Sequence, residues 1–260
     1  MKPLAAIAIL GCLVLGGGCG NEPPPPDDKP EEAVRVEPPV LEIAQRFHGH
    51  EGAITDLAFL SNDLLASISA DDSTLRFWAM RDGRPLRVIQ TANRPRDLVV
   101  LPQGSGVMVA DEKGQVTVWK IRDGKIGSGR TLLRNAAGQL ALSPDGKHLA
   151  VAGTEQPLAI HDLPSGVRLR NMTGSSWVRR VDFGISSDLL IGAGDEGQVG
   201  LWSISDEQSQ TFDLEVEEGA AAVALDYGPD GRRVALVYTD GSVILADLLS
   251  REKQIHRARV

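Results

Sequence analysis

The sequence predicts an all-β protein assembled from about five copies of one four-stranded unit. Three observations carry that prediction. The segments DDSTLRFWAM, EKGQVTVWKI, EQPLAIHDL and DEGQVGLWSI place Trp78, Trp119, His161 and Trp202 in one column, at steps of 41, 42 and 41 residues, and TDGSVILADL puts Ala246 in the same column 44 residues on. A near-constant step of this size marks a repeated supersecondary unit. Short apolar runs between these columns alternate with Gly, Asp, Asn and Ser clusters, the pattern of strands joined by tight turns. No stretch of residues 41–260 sustains an apolar period of 3.6, so essentially no helix is expected there.

Ahead of the repeats the chain reads differently. Lys2, the apolar run Leu4–Leu15 and the small residues Gly16, Gly17 and Gly18 before Cys19 have the layout of an export signal. Residues 1–19 resemble a bacterial lipoprotein signal peptide, which implies that Cys19 is lipidated and becomes the mature N-terminus; Gly16 stands where that family prefers Leu. Cys12 is a rival cleavage point, and an uncleaved anchor is another reading, although the run falls short of the ~20 residues of a spanning helix. Residues 20–40 carry Pro23–Pro26, Pro30, Pro38 and Pro39 with an acidic excess. Such a segment cannot bury enough apolar surface to fold, and at ~3.1 Å per residue it serves as a tether.

The units follow over residues 41–80, 81–121, 122–163, 164–204 and 205–248, with a terminal strand at 253–259. Unit one gives strands Leu41–Phe47, Ile54–Phe59, Leu64–Ser69 and Thr74–Ala79, connected by GHEG, LSND and ADDS. RDG recurs at Arg81 and Arg122, and the turns SPDG and GPDG place Pro144 and Pro229 two repeats apart. Unit four contains LLIGAGDEGQVGLW, in which Gly192, Gly194 and Gly197 have the G-x-G-x-x-G spacing of a dinucleotide loop. That loop needs a following helix whose amide groups meet a pyrophosphate. Here an alternating strand, QVGLWSI, follows, so the glycines are assigned to a turn that wants positive φ.

Gly49-His50 near the start of a unit and Trp78 near its end, at this period, resemble the WD40-repeat family. The resemblance covers residues 41–260 and is strongest from Gly49 to Trp78, although Ala79 replaces the usual Asp. It implies a β-propeller of about five four-stranded WD40-like blades. It also implies a buried polar chain made by His50, Ser67 or Ser69, Asp71 or Asp72, and Trp78. The other units lack the His, and the turn Asp gives way to Lys113, Glu155 and Glu196, surviving as Asp240 in unit five. Those blades are expected to be softer. Ser, His and Asp also suggest a hydrolase triad, but a satisfied buried network holds packing together, whereas a nucleophile must be reachable. No G-x-S-x-G elbow occurs.

Composition narrows the function further. A net charge of −8 argues against nucleic acid, which binds basic surfaces. Both cysteines, Cys12 and Cys19, lie in the signal region, so the repeats hold no disulfide or thiolate site; His48 and His50 have no evident third ligand, and no metal or cofactor is expected. Trp177 falls outside the Trp column, opposite Ala53, where the family resemblance places the rim of the central channel at which partners dock. With Arg179 and Arg180, and with Arg94 and Arg96, it forms the candidate partner-binding rim, the plainer reading being a Trp that plugs the channel. Segments such as GQLALS and AAAVALDY present Ala, Val and Leu, so an apolar channel is expected and a catalytic one disfavoured.

The expectation is therefore a non-catalytic protein-interaction scaffold, lipid-anchored at the bacterial cell envelope and binding protein partners. A small-ligand or hydrolytic propeller and a purely structural envelope component are the alternatives. Leu41–Phe47 and residues 253–259 both suit the outermost position, one strand too many for five blades. Three outcomes are open: a compact five-blade ring, an open arc completed by another chain, and a ring with an irregular sixth element; exposed strand edges invite self-association, so closure is favoured.

Overall fold

The computed structural model describes residues 45–248, apart from residues 137, 154–155, 164, 207 and 229–230, together with residues 258–259. Cys19, the segment 20–40 and residues 41–44 lie outside the described residues.

Alternating strands and tight turns give five antiparallel sheets, each built from neighbours in sequence. The first holds β1 (Ile54–Ser61), β2 (Leu64–Ser69), β3 (Thr74–Ala79) and β4 (Pro85–Gln90), in that spatial order. The second holds β5 (Pro95–Val100), β6 (Gly106–Asp111) and β7 (Val116–Arg122), with both β8 (Lys125–Ile126) and β9 (Arg130–Leu133) paired to β7. The third runs β10 (Gln139–Leu142), β11 (His148–Gly153), β12 (Gln156–Asp162) and β13 (Arg168–Asn171). The fourth runs β14 (Arg180–Phe183), β15 (Leu189–Ala193), β16 (Gln198–Ser203) and β17 (Ser209–Asp213). The fifth runs β18 (Ala222–Tyr227), β19 (Arg233–Tyr238), β20 (Ser242–Asp247) and β21 (Ala258–Arg259).

Each sheet takes its outermost strand from the residues that follow its Trp column. Trp78 pairs with Pro85 of β4, and Ser242 and Val243 pair with Arg259 and Ala258. The strand expected at Leu41–Phe47 is not formed by its described part: Gln45–Phe47 is irregular. With β4 already at the edge of the first sheet, Phe47 instead sets its ring edge-on to Trp78, at 5.9 Å between centroids and 76° between planes.

Side chains alternate across each strand, so every sheet has an upstream and a downstream face. The downstream face of one sheet packs on the upstream face of the next, giving four separate apolar clusters. Ile68, Leu75 and Phe77 meet Leu98, Val107 and Trp119. Met108, Ala110 and Val116 meet Leu140, Leu149 and Val151. Ala150, Leu158 and Ile160 meet Val178, Val181 and Trp202. Ile191, Ala193 and Val199 meet Val234, Leu236 and Tyr238.

The inner strands follow the same series, β1 on β5, β5 on β10, β10 on β14 and β14 on β18. Among the described residues no comparable packing joins β18 back to β1. Solvent exposure gives the same result. Leu57 is 52 % exposed, whereas its equivalents Leu98, Leu140 and Val181 are 5 %, 2 % and 1 % exposed beneath the preceding sheet. Among the described residues the first sheet thus has no upstream neighbour and the fifth no downstream one, so these five sheets form an open arc where a closed ring was expected.

The glycine spacing in unit four forms a turn, as its strand context requires, but only Gly197 adopts positive φ (81°). Gly192 and Gly194 make room for aromatic rings: a Cβ on the first would press on Val178 and Trp202, and one on the second on Trp177. At Gly197 an added Cβ runs into the Leu214 carbonyl oxygen, so strain and clash combine. Gly197→Ala is expected to destabilise the fold by about 2 kcal/mol or more, measured by urea unfolding, with no compensating gain in unfolded-state entropy large enough to mask it.

Candidate functional site

The turn between β2 and β3 carries Asp71 and Asp72, and the segment ahead of β1 carries His50. Trp78 Nε1 donates to Ser67 Oγ at 2.8 Å, Ser67 Oγ lies 2.7 Å from His50 Nε2, and His50 Nδ1 lies 2.8 Å from Asp72 Oδ2. One direction of donation satisfies every atom: indole to Ser67, Ser67 hydroxyl to Nε2, and Nδ1–H to the carboxylate. Asp72 also accepts from Thr74 Oγ1 (2.7 Å), the Thr74 amide (3.0 Å) and the Glu51 amide (3.0 Å). Burial raises the Asp72 pKa, but the hydrogen bonds from Thr74, His50 and Glu51 outweigh it and hold the carboxyl at about 2.

The two open assignments resolve by geometry. Asp71 turns outward to accept from the Ala53 amide (3.2 Å) and from Arg94 (2.8 Å), and the Ser69 hydroxyl is buried without a partner. His50, Ser67, Asp72 and Trp78 are the four that meet. Ser67 and Trp78 are buried, and the Ser67 oxygen already serves two partners, so the arrangement ties strands together and presents no nucleophile.

The fifth sheet repeats part of the motif: Asp240 accepts from the Ser242 amide (2.8 Å) and hydroxyl (2.6 Å) and from the Glu217 amide (3.1 Å). In the fourth sheet a second aromatic takes the place of the His. Trp177 lies 5.8 Å from Trp202, tilted by 40°, much as His50 lies 6.0 Å from Trp78, tilted by 59°.

Trp177 is therefore half-buried, leaning on the cluster between the third and fourth sheets. Arg179 Nε meets Asp195 Oδ2 at 2.5 Å, Arg94 bonds Asp71 Oδ1 and the Ala70 carbonyl, and Arg96 is exposed. Trp177 and Arg179 stand at the start of β14, and Arg94 and Arg96 at the start of β5, with β10 between those strands. The four thus share one end of the inner strands without touching across it.

The expected apolar lining of the inner strands is corrected by a set of polar rungs. Asp56 Oδ2 accepts the Leu98 amide (3.0 Å), Asp97 Oδ2 the Leu140 amide (2.7 Å) and Gln139 Oε1 the Val181 amide (2.7 Å). Arg180, next in the column, donates to the Val223 carbonyl. Each side chain leaves its downstream face to bond the backbone of the next inner strand. Positions 56, 97, 139 and 180 keep the period of the Trp column, a signal that the change of residue type from Asp to Gln to Arg conceals.

These rungs perturb titration. Burial pushes Asp97 up to about 7, against the Leu140 hydrogen bond, and nearby Asp56 adds to the rise. Burial likewise raises Asp56, and drives Asp182 up to about 6 with help from Asp226. The charge of Arg180 reaches both Asp56 and Asp97 and favours their ionised forms.

Two outcomes follow. Ser67→Ala strands the buried Trp78 indole and the His50 ring, and is expected to cost about 2 kcal/mol in urea unfolding, whereas Ser69→Ala, which removes an unpaired hydroxyl, is expected to change stability by less than about 0.5 kcal/mol. For Asp97 the folded state binds its proton more tightly than the unfolded chain. Stability therefore falls as pH rises from the ordinary carboxylate range through about 7. Thermal melts across pH 5 to 8 should show this decline, and Asp97→Asn should flatten it and melt above the parent at pH 8.

Comparison with known proteins agrees with this architecture. Residues 41–79 match the model described as "WD domain, G-beta repeat". The chain is 26 % identical over 154 residues, half of its length, to the Periodic tryptophan protein 2 homolog of Schizosaccharomyces pombe, and 23 % identical over 176 residues to Apoptotic protease-activating factor 1 of Rattus norvegicus. It spans 18 % and 14 % of those two proteins' own lengths. An uncharacterized WD repeat-containing protein of Synechocystis is 25 % identical over 205 residues, 77 % of this chain and 58 % of the relative. Among solved structures, that of U3-55K superposes on 80 % of this chain and 64 % of its own, with a TM-score of 0.68 at 18 % identity. The chain thus carries a WD40 repeat, tied by the His50–Ser67–Trp78 network, within a WD40-like β-propeller of five sheets.

Proposed function

We propose that the protein is a non-catalytic scaffold that binds protein partners at the bacterial cell envelope, held there by a lipid on Cys19 and spaced from the membrane by residues 20–40. WD-repeat domains generally mediate protein–protein contacts. The observation that carries the reading is the grouping of Trp177, Arg179, Arg94 and exposed Arg96 at one end of the inner strands, a combination of aromatic anchor and arginine typical of interface hot spots. A ligand-binding channel is the second reading, favoured by Asp56, Asp97 and Asp182. Those carboxylates are occupied in joining inner strands, which weighs toward the scaffold.

The test is affinity capture from native envelopes with the full chain, Arg96→Glu, Trp177→Ala and Cys19→Ala. A specific protein should be recovered with the parent and lost by at least about tenfold with Arg96→Glu, whose side chain is exposed and spares the fold. Trp177→Ala should behave alike provided that its melting temperature is matched. Cys19→Ala should abolish palmitate labelling and move the protein into the soluble fraction. Recovery of the same protein by every rim variant excludes the rim, and recovery of none by the parent excludes the scaffold.

A further inference from the structure

The two ends of the arc are the unfilled halves of an interface that the molecule makes four times within itself. At the first sheet, Ile54, Leu57 and Phe59 are 53 %, 52 % and 61 % exposed, although all three belong to the upstream face that other sheets bury. A cleft of about 330 Å³ lies beside them, lined among others by Phe47, His50, Leu57 and Trp78. At the fifth sheet the downstream positions Ala235, Val237, Val243 and Leu245 are partly exposed, where their first-sheet equivalents Ala66, Ile68, Leu75 and Phe77 are fully buried.

The polar rungs stop at the same place. The backbone amide of Tyr227 in the next sheet favours the ionised form of Asp182. Asp226 holds the equivalent position in the fifth sheet, exposed and with no following strand among the described residues. An apolar face and an acceptor for a strand amide are both in place.

We infer that the gap is an interaction site for a β-sheet of another polypeptide, which enters between the fifth and first sheets, packs its two apolar faces on theirs and gives a backbone N–H to Asp226. The mode is continuous with the four sheet-on-sheet contacts already formed, so it needs no new kind of surface. Each terminal face matches one face of a single sheet, the unit that fills each of the four seams already formed, so one inserted sheet suits both faces better than a whole five-sheet copy. The proline-rich residues 20–40 lack the alternating strands of a four-stranded unit. This inference concerns a surface separate from the rim and stands or falls independently of it.

Benzoylphenylalanine placed at Leu57 or at Leu245 of the full chain, irradiated in its native cells, tests the proposal. Both positions should crosslink to one foreign polypeptide, with adducts on opposite faces of its strands and at alternate residues along them. Leu57→Asp with Phe59→Ser should leave the melting temperature of the purified protein unchanged, because both side chains are exposed, yet lower the Leu245 crosslink at least about tenfold. Crosslinks confined to the chain itself, crosslinks between isotopically distinct copies, different foreign proteins at the two positions, or none at either position would each overturn it. In any of these cases a partner still captured through Arg96 leaves the scaffold reading standing.

Discussion

Sheet-on-sheet packing, repeated from one sheet to the next, is the constraint on which the rest of the molecule depends. A four-stranded sheet with two apolar faces cannot stand in water, so each sheet is stable only as the partner of its neighbours. Phe77, Met108, Leu158 and Ile191 each belong to a different cluster, and no single core unites them. The rungs at Asp56, Asp97, Gln139 and Arg180 lie at the inner margin of these contacts, where backbone amides would otherwise be left without partners. Apolar area supplies the attraction, and the rungs fix how far one sheet slides on the next.

Much of this was legible in the sequence because it repeats. The Trp column, the turn residues and the alternating runs gave four strands per unit and the limits of β2 and β3 to the residue. What failed was phase and closure. Nothing local distinguishes an outermost strand that precedes its sheet from one that follows it, and only the pairing of Trp78 with Pro85 shows that it follows. Closure depends on whether Leu57, one apolar residue among many, has a neighbour in space, and alternation reads the same in either case.

The polar residues were readable in proportion to how far their types are preserved. His50 and Trp78 were read outright, and the Ser and the Asp were narrowed to two candidates each, Ser67 or Ser69 and Asp71 or Asp72, between which hydrogen-bond geometry decides. The rungs escaped notice because a carboxylate, an amide and a guanidinium fill one column with opposite charges and opposite donor roles. Trp177 was singled out by the column it breaks. Its placement at the mouth of an inner strand also leans it on Trp202, so a rim position and a packing position coincide in one side chain.

Because every cluster involves only adjacent sheets, the arc behaves as a one-dimensional array, with energy shared between nearest neighbours. Adding or deleting a terminal unit of roughly forty residues changes one boundary and leaves the remaining seams as they were. The number of units is then an easily altered character of the lineage, open to change by tandem duplication or loss in a single genetic step. The uneven survival of the His50 motif, complete in the first sheet and kept in part at Asp240 and Ser242 of the fifth, fits such a history: sheets clamped on both faces can shed their own internal ties.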